Sequence, residues 1–332
     1  MEKVSLKVIA NEIGVSIATV SLVLNGKNKR GRVSEAVSKK IIDKAAELNY
    51  VPNSLAKGLK MGHSKTIGLI VADISNVFFG TLALHVQNYA EKKGYMVIIA
   101  NTDEQLSEMD KMIKLLKSRQ VDGFIITPTE YGEKSISNLL REKTPLVLVD
   151  RNFPELTTCS VMINNYEISY KATKELINKG CKNIALISYR QDQYHINERK
   201  NGCIEALKDH KIYRKENIKE VRYDSLQSDV EKAVNELLQN NSKIDGMFCT
   251  TNSISINAVK ELVKNKIDIQ KQIQLFCFDE NEAFQILTFS VPYVKQPIEE
   301  LAQNAVRRLI EQIEEKIINT ETCVVEAELI LN

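Results

Sequence analysis

From Lys65 to the C-terminus, short apolar runs alternate with amphipathic stretches, and this alternation constrains the fold more than any other feature of the chain. Near-continuous apolar runs between helical stretches are typical of parallel strands that helices cover on both faces. The predicted strands lie at 66–71, 95–99, 123–126, 145–149, 183–187, 245–249 and 273–278. Since about 265 residues of this pattern exceed one ordinary domain, the sequence predicts an α/β body of two doubly wound parallel-sheet subdomains.

Ligands of such sheets bind where the chain leaves the carboxyl ends of the strands. Polar residues follow the predicted strands in the segments 73–79, 101–103, 127–129, 150–152, 250–252 and 279–281. These segments are the candidates for a small-molecule site, and the segment 191–195 can reach the same place. Within it we expect His195 to be a solvated loop residue and not a catalytic one.

The first 50 residues follow a different, all-helical pattern. Ser5 and Ser16 are predicted N-caps of two short helices that bend around Gly14, where glycine tolerates a positive φ. Apolar residues recur at i, i+4 spacing on both helices, at Ile9, Ile13, Val20 and Leu24. A third helix, capped by Ser34 and running to about Asn49, closes a three-helix core. This arrangement predicts a helix-turn-helix, which delivers its second helix to the DNA major groove.

Charge is distributed unevenly along the chain and supports this interpretation. Residues 1–65 hold 12 Lys+Arg against 5 Asp+Glu, a net of +7, whereas the remainder has a net of −5. A basic cluster at 27–32 adds to the positive head, which indicates an anionic partner for the head alone. The alternative is a surface helical hairpin with a solvated charged face and no nucleic-acid role.

A short segment links the head to the body. Pro52 breaks the third helix, and residues 53–60 can form about two helical turns that are too short to be stable alone. We therefore predict a head at 1–49, a hinge helix and linker at 50–64, and a body at 65–332. Within the body, the first lobe is predicted at about 65–162 plus 294–325, and the second at about 163–293.

Other composition features exclude several classes of protein. The six cysteines are widely spread without a CxxC pair, so we expect buried, reduced thiols in a cytoplasmic protein and no metal site. No apolar stretch approaches the roughly 20 residues of a membrane span, and no secretory signal is visible. Motifs for phosphate loops, dinucleotide binding or a serine nucleophile are missing, which argues against an enzyme. A transport or chemosensory binding protein remains an alternative.

Together these motifs resemble the lactose-repressor and galactose-repressor (LacI/GalR) family over essentially the whole chain. The most specific matches are SIATVSLVLNG at 16–26 and YVPNSLAKGL at 50–59, with weaker ones at 73–79, 149–151 and 278–280. The resemblance implies a homodimeric transcriptional repressor with a periplasmic-binding-protein type of body. Its partners would be a near-palindromic double-stranded operator and a sugar-like effector between the two lobes, with no cofactor and no membrane.

The resemblance also assigns DNA-binding residues. Ile17 and Ala18 would face base edges, whereas phosphate and sugar contacts would come from Ser5, Ser16, Thr19, Ser21 and Asn25. Leu59 would enter the minor groove as a wedge. The predicted set is completed by Arg32, Ser34, Asn53 and Ala56. Leu22 departs from the family, since most members carry a basic residue there, and a thymine methyl is its expected target.

The effector site is assigned in the same way. The first lobe would contribute Phe78, Phe79, Asp150 and Arg151, and the second lobe Arg199, Asn252 and Asp279. For Phe78 and Phe79 the alternative is core packing, with one of the two lining the cleft. We take Gly202, three residues after Arg199, as favouring a ligand role for that arginine. Charged groups beside aromatic rings suit a polyhydroxylated ligand.

Overall fold

The computed structural model describes residues 4–26, 28, 32–50, 63–239, 243–269, 271–280, 283–284, 290–317 and 319–331. The chain divides into two compact units, 1–62 and 63–332, and each is described by itself. The predicted hinge helix at 53–60, with Asn53, Ala56 and Leu59, lies outside the described residues, as does most of the basic cluster at 27–32.

The described residues of the N-terminal unit form three helices, namely α1 (Leu6–Ile13), α2 (Ile17–Leu24) and α3 (Glu35–Glu47). Gly14 ends α1 at a φ of 74°, and α2 follows at a bend of 111°, which confirms the helix-turn-helix. Ser16 and Ser34 accept hydrogen bonds from main-chain N–H groups of α2 and α3, so both predicted caps are confirmed. Ser5 occupies the N-cap position of α1 without a side-chain bond.

The core of this unit is small and follows the predicted spacing. Ile9, Val20 and Ile41 are fully buried, and the partly buried side chains of Ile13 and Leu24 pack against them. Val23 is also buried, although the i, i+4 spacing had not included it. Each helix therefore uses one apolar face for the core and leaves its other face to solvent.

The second unit contains two sheets, and lobe 1 is the first sheet with the helices that pack on it. Its strands are β1 (Thr66–Val71), β2 (Met96–Asn101), β3 (Gly123–Ile126), β4 (Leu146–Val149), β5 (Ser160–Ile163) and β11 (Thr322–Val325). All are parallel, in the order β11-β5-β4-β3-β1-β2. Its helices are α4 (Val77–Lys92), α5 (Leu106–Ser118), α6 (Glu133–Arg141) and α11 (Ile298–Glu315).

Lobe 2 is the second sheet with its helices. The strands are β6 (Ile184–Tyr189), β7 (Ile218–Val221), β8 (Gly246–Cys249), β9 (Gln274–Phe278), β10 (Tyr293–Lys295) and β12 (Glu328–Ile330). Their order is β12-β10-β9-β8-β6-β7, and only the β10–β12 pair is antiparallel. The helices are α7 (Asn165–Asn178), α8 (Tyr194–Asp209), α9 (Leu226–Gln239) and α10 (Asn252–Lys264), with a short 3-10 turn at Lys215–Asn217.

The chain passes between the two lobes three times. It leaves lobe 1 after β5, returns between β10 and α11, and leaves again between β11 and β12. Three adjacent crossings leave the lobes connected at one side, which is the geometry of a hinge. The predicted fold class, two parallel-sheet α/β subdomains after a helical head, is confirmed.

All seven predicted strands are present, and the structure adds five that the sequence analysis did not find. The additional strands are β5, β7, β10, β11 and β12. Each has only three or four residues, and β7, β11 and β12 lie at sheet edges. Short edge strands are not buried on both faces, so they carry no continuous apolar run for the pattern to detect.

Two further expectations can be compared with the structure. The six cysteines are unpaired, and five of them are buried, whereas Cys323 is partly exposed. Within the described ranges no single helix is long and apolar enough to cross a membrane; only the bent α1–α2 pair passes on length and composition taken together.

Candidate functional site

A small cavity of about 50 Å³ lies between the two lobes, at the carboxyl ends of their strands. Lobe 1 lines it with Asp73, Asn76, Phe78, Phe79, Glu104, Asp150 and Arg151. The segments around lobe 2 contribute Tyr189, Gln191, Gln193, His195, Ile196, Arg199, Tyr223, Thr251, Ser253, Asp279 and Gln296. The structure thus brings together six of the seven predicted effector residues.

The centre of this cavity is the carboxylate of Asp150, which faces two guanidinium groups. Its Oδ2 lies 3.6 Å from Nε of Arg151, and its Oδ1 lies 3.9 Å from Nη2 of Arg199. All three side chains are at least nine-tenths buried. Burial raises the pKa of Asp150, and the two positive charges partly offset that effect. Both separations are too long for direct hydrogen bonds.

Arg199 is held in place by lobe 2 itself. Its Nε donates to Oδ1 of Asn165 at 2.7 Å, and its Nη1 donates to the carbonyl oxygen of Thr250 at 3.0 Å. The guanidinium lies 3.7 Å from the ring centroid of Phe278, within range of a cation–π interaction. Burial lowers the pKa of Arg199. Only Nη2 is left to face the cavity, towards Asp150.

Gly202 has a packing role, so our use of it as a sign of ligand binding was wrong. A Cβ at this position of α8 would collide with the carbonyl oxygen of Tyr166 and lie 3.1 Å from the main-chain nitrogen of Tyr170, both on α7. Glycine is needed there because α7 and α8 approach closely. What supports a ligand-binding role for Arg199 is instead its position in the cavity lining.

Arg151 is bound by a carboxylate that the sequence analysis missed. Its Nη1 and Nη2 donate to the two oxygens of Glu104 at 2.7 and 2.6 Å, and Nη1 also donates to the carbonyl of Pro128 at 3.2 Å. Burial alone would favour the neutral guanidine, but the Glu104 carboxylate raises the pKa of Arg151. Glu104 lies one residue beyond the segment 101–103 that we had singled out.

Both phenylalanines line the cavity, and both are buried. Their rings meet edge to face with centroids 5.0 Å apart, and Phe79 lies beneath the Arg151 guanidinium at 5.6 Å. The two alternatives are therefore not exclusive, because the same rings pack in lobe 1 and form one wall of the cavity.

The prediction that His195 is a solvated loop residue was wrong. It is the second residue of α8, it is only 4% exposed, and it lines the cavity. Its Nδ1 has no hydrogen-bond partner within the described ranges. Burial, together with the charges of Arg151 and Arg199, lowers its pKa, so the ring is neutral. A solvent-exposed histidine would not be shifted in this way.

Asp279 and Asn252 differ in where they lie. Asp279 Oδ1 accepts a 2.6 Å hydrogen bond from Nε2 of Gln296, and burial raises the pKa of the aspartate. Asn252 donates its main-chain N–H to Asp279 but lines a wider groove of about 1190 Å³ between α4 and α11, not the small cavity. Its effector contact stays a prediction.

Hydrogen bonds join the lobes across the cleft. The Tyr223 hydroxyl donates to Oδ2 of Asp73 at 3.3 Å, and the main-chain N–H of Asp192 donates to Oε1 of Glu130 at 2.9 Å. The cavity is small because the protein's own side chains close it. Tyr223 follows β7, which the sequence analysis had not found, and recognising that strand would have pointed to this residue.

The head presents the predicted DNA-binding residues of α2 on its solvent side. Ile17 is 47% exposed, Ala18 is exposed, and Leu22 is partly exposed. The polar groups beside them form local hydrogen bonds. The Ser16 and Thr19 hydroxyls lie 2.8 Å apart, and Asn25 donates to the carbonyl of Ser21 at 2.7 Å. Ser5, Arg32 and Ser34 are also exposed. Their DNA contacts remain predictions.

Each of the two units matches a model of a known protein family. A family model for bacterial regulatory proteins of the lacI family matches residues 5–53, and one for periplasmic binding proteins and the sugar-binding domain of the LacI family matches 64–328. The chain is 33% identical to the ribose operon repressor of Halalkalibacterium halodurans, over 95% of this chain and 92% of that protein. It is 30% identical to the regulator RegA of Clostridium saccharobutylicum, over 98% and 97%.

Solved structures give the same fold. The structure of a Lac repressor dimer bound to operator and an anti-inducer matches 99% of this chain and 98% of its own chain. The TM-score is 0.86 at 18% identity. A putative ribose operon repressor from Burkholderia thailandensis matches 80% and 98%, with a TM-score of 0.72 at 25% identity. Because the two family models match in chain order, one over each of the two compact units, the chain belongs to the LacI family of DNA-binding transcriptional regulators.

Proposed function

We propose that this chain is a homodimeric, cytoplasmic repressor that binds a near-palindromic operator and is controlled by a sugar or sugar derivative in the interlobe cavity. The observation that carries the effector assignment is the position of Asp150 between two buried guanidinium groups. Gaps of 3.6 and 3.9 Å are too long for direct hydrogen bonds but fit hydroxyl groups, which can donate to the carboxylate and accept from the guanidinium.

The cavity favours a small effector. Its volume is only about 50 Å³ and side chains of both lobes line it, so we propose that the lobes separate to admit a sugar. A monosaccharide demands less separation than a disaccharide, and the Phe78 and Phe79 rings offer it an apolar wall. The names of two relatives, both ribose operon repressors, make ribose the first sugar to test.

A dimer is supported by apolar side chains that lobe 1 leaves exposed. Val77 and Leu84 on α4 are 63% and 56% exposed, and Met96 on the neighbouring β2 is 65% exposed. Apolar groups gathered on adjacent elements favour a protein interface. A two-fold dimer would place two α2 helices about one DNA turn, roughly 34 Å, apart or a multiple of it.

Control of DNA binding would pass through the segment 53–60. Residues as few as these do not form a stable helix alone, so a small movement of the lobes can decide whether the segment orders on DNA. Leu59 is proposed as the side chain that enters the minor groove. The relatives are transcriptional regulators, and we propose no catalytic role for this chain.

The effector assignment is tested by thermal melting of the full chain with D-ribose, D-glucose and cellobiose. A ligand at 100 times its dissociation constant adds about 2.7 kcal/mol to the free energy of unfolding, so a bound sugar raises Tm. Asp150→Asn should abolish that rise, because it removes the carboxylate that would accept from the sugar hydroxyl groups. The variant should keep its backbone conformation, since asparagine also tolerates the φ of 67° found here. The matched control is Glu108→Gln on the surface of α5. A rise that persists in Asp150→Asn would contradict the proposal.

A further inference from the structure

We infer that Glu104 restricts the effector of this cavity to uncharged molecules, because it occupies the guanidinium fork of Arg151 that an anion would need. The inference rests on the proposed effector function of the cavity. It concerns a residue that was not among the predicted site residues and that lines the same cavity as the arginine it binds.

The Glu104–Arg151 pair has the geometry of a bound carboxylate. Two parallel N–H···O bonds of 2.6 and 2.7 Å join the side chains, which are 7% and 9% exposed. A ligand phosphate or carboxylate would use the same two nitrogens in the same bidentate way. Glu104 therefore fills from within the protein the place that an anionic effector would take.

The two arginines have only single N–H donors left to offer a ligand. Nε of Arg151 has no hydrogen-bond partner in the part of the chain that the structure describes, and Nη2 of Arg199 lies 3.9 Å from Oδ1 of Asp150. The carboxylate of Asp279 also interacts electrostatically with the Arg199 guanidinium. One N–H directed at one ligand atom suits a hydroxyl group. A phosphate needs several donors that converge on the same group, and these two arginines direct their forks to Glu104, Asn165 and the Thr250 carbonyl instead.

The charge of the lining also opposes an anion. Asp73, Asp150, Asp279 and Glu104 face only two arginines, and His195 is neutral there. An incoming phosphate would meet an excess of carboxylates in a site of low dielectric constant, where like charges repel strongly.

Helix N-termini could offset this effect, since α4 and α10 begin at the cavity and such termini attract anions. One of the first N–H groups of each helix is already used, however. Oδ1 of Asn76 accepts from the Phe78 N–H at 3.0 Å, and Oγ1 of Thr251 accepts from the Ile254 N–H at 3.4 Å. The N-terminus of α8 also lies at the cavity, and its N-cap Gln193 makes no side-chain bond to the helix. The arginine fork, however, offers two parallel N–H donors to one anion, and Glu104 occupies it.

The test uses the full chain, isothermal titration calorimetry and three probes: inorganic phosphate, D-ribose 5-phosphate and D-ribose. Wild type and the surface control Glu108→Gln should bind neither anion. Glu104→Gln keeps the side-chain size but releases the fork, and it should bind both anions at least about tenfold more tightly than wild type. Glu104→Gln combined with Arg151→Gln should lose that gain, because the seat itself is removed.

The inference is overturned if wild type binds D-ribose 5-phosphate as tightly as D-ribose or more tightly, or if Glu104→Gln gains no anion binding. Should Glu104→Gln fail to fold in chloride, phosphate at the same ionic strength should restore its circular dichroism, and no restoration also overturns the inference. Gain of phosphate binding without any D-ribose binding to wild type would uphold the role of Glu104 and count against the sugar effector.

Discussion

Replacing Gly202 by alanine should loosen the helix pair that holds the ligand-facing arginine. The new Cβ would collide with the carbonyl oxygen of Tyr166 and come within 3.1 Å of the Tyr170 nitrogen. Both are main-chain atoms of α7, so no side chain can turn aside. To reach ordinary contact distance, α8 has to retreat from α7 by about 1 Å.

The magnitude follows from overpacking, and so does the functional cost. Inserting a methyl group into a packed contact costs about 1–3 kcal/mol, of which the better helix propensity of alanine returns about 0.5–1. The middle of that difference is a net loss of about 1 kcal/mol, or a Tm lower by about 2–4 °C. The same retreat lengthens the 2.7 Å bond from Arg199 on α8 to Asn165 on α7 beyond hydrogen-bond range, so effector affinity should fall as well.

Differential scanning fluorimetry and calorimetric titration with D-ribose would measure both effects. Gly80→Ala is the matched control, because Gly80 also lies inside a helix but its Cβ would be 3.6 Å from the nearest atom, the Ile74 carbonyl oxygen. That variant should be as stable as wild type or slightly more stable. If Gly202→Ala melts and binds like Gly80→Ala, the close α7–α8 approach and its link to Arg199 are refuted.

Three further predictions concern other parts of the chain. Burial and two arginine charges lower the pKa of His195 below 6.5, so on acidification the unfolded chain takes up a proton more readily than the folded chain. The free energy of unfolding should therefore fall as the pH drops below about 6.5. His195→Gln should weaken this fall in thermal melts between about pH 5 and 8, and equal slopes for the two proteins would contradict the prediction. Tyr223→Phe removes a bond between the lobes worth about 1 kcal/mol, so the open fraction and the D-ribose association rate in stopped flow should rise about fivefold; an unchanged rate would show that this bond does not hold the cleft. Replacing thymine by uracil in the operator half-site should weaken binding about fourfold for each methyl group that Ile17 or Leu22 covers. Gel shifts should show a smaller difference for Ile17→Ala, and equal affinity of the wild-type protein for both operators would exclude methyl recognition.

The sequence predicted the fold well where burial is symmetrical. All seven predicted strands are confirmed, and six of them are buried on both faces and appear as continuous apolar runs. The seventh, β2, lies at a sheet edge and is apolar although it is partly exposed. β7 and β12 lie at sheet edges and mix charged with apolar residues, so nothing in a single sequence separates them from loops. The helix-turn-helix could be predicted because its spacing and caps are local.

Arg199, inside α8, was predicted from the family resemblance, whereas the sequence pattern itself predicted site residues that follow a recognised strand. Asp150 and Asp279 fall in that class, and both line the cavity. Tyr223 and Gln296 follow the unrecognised strands β7 and β10, and Glu104 lies just past the expected segment, so all three were missed. The assignment of His195 failed for another reason, since its burial depends on the two lobes meeting, which local sequence does not encode.

Filling the interlobe cavity should change the affinity of the head for DNA. The most direct measurement is the operator dissociation constant of the full chain as D-ribose is titrated, at fixed salt, in wild type and in Asp150→Asn. We predict a change of about 5–150-fold for wild type, which corresponds to a coupling of about 1–3 kcal/mol, and none for Asp150→Asn. A wild-type protein that binds D-ribose with unaltered operator affinity would contradict this coupling between the cavity and the head.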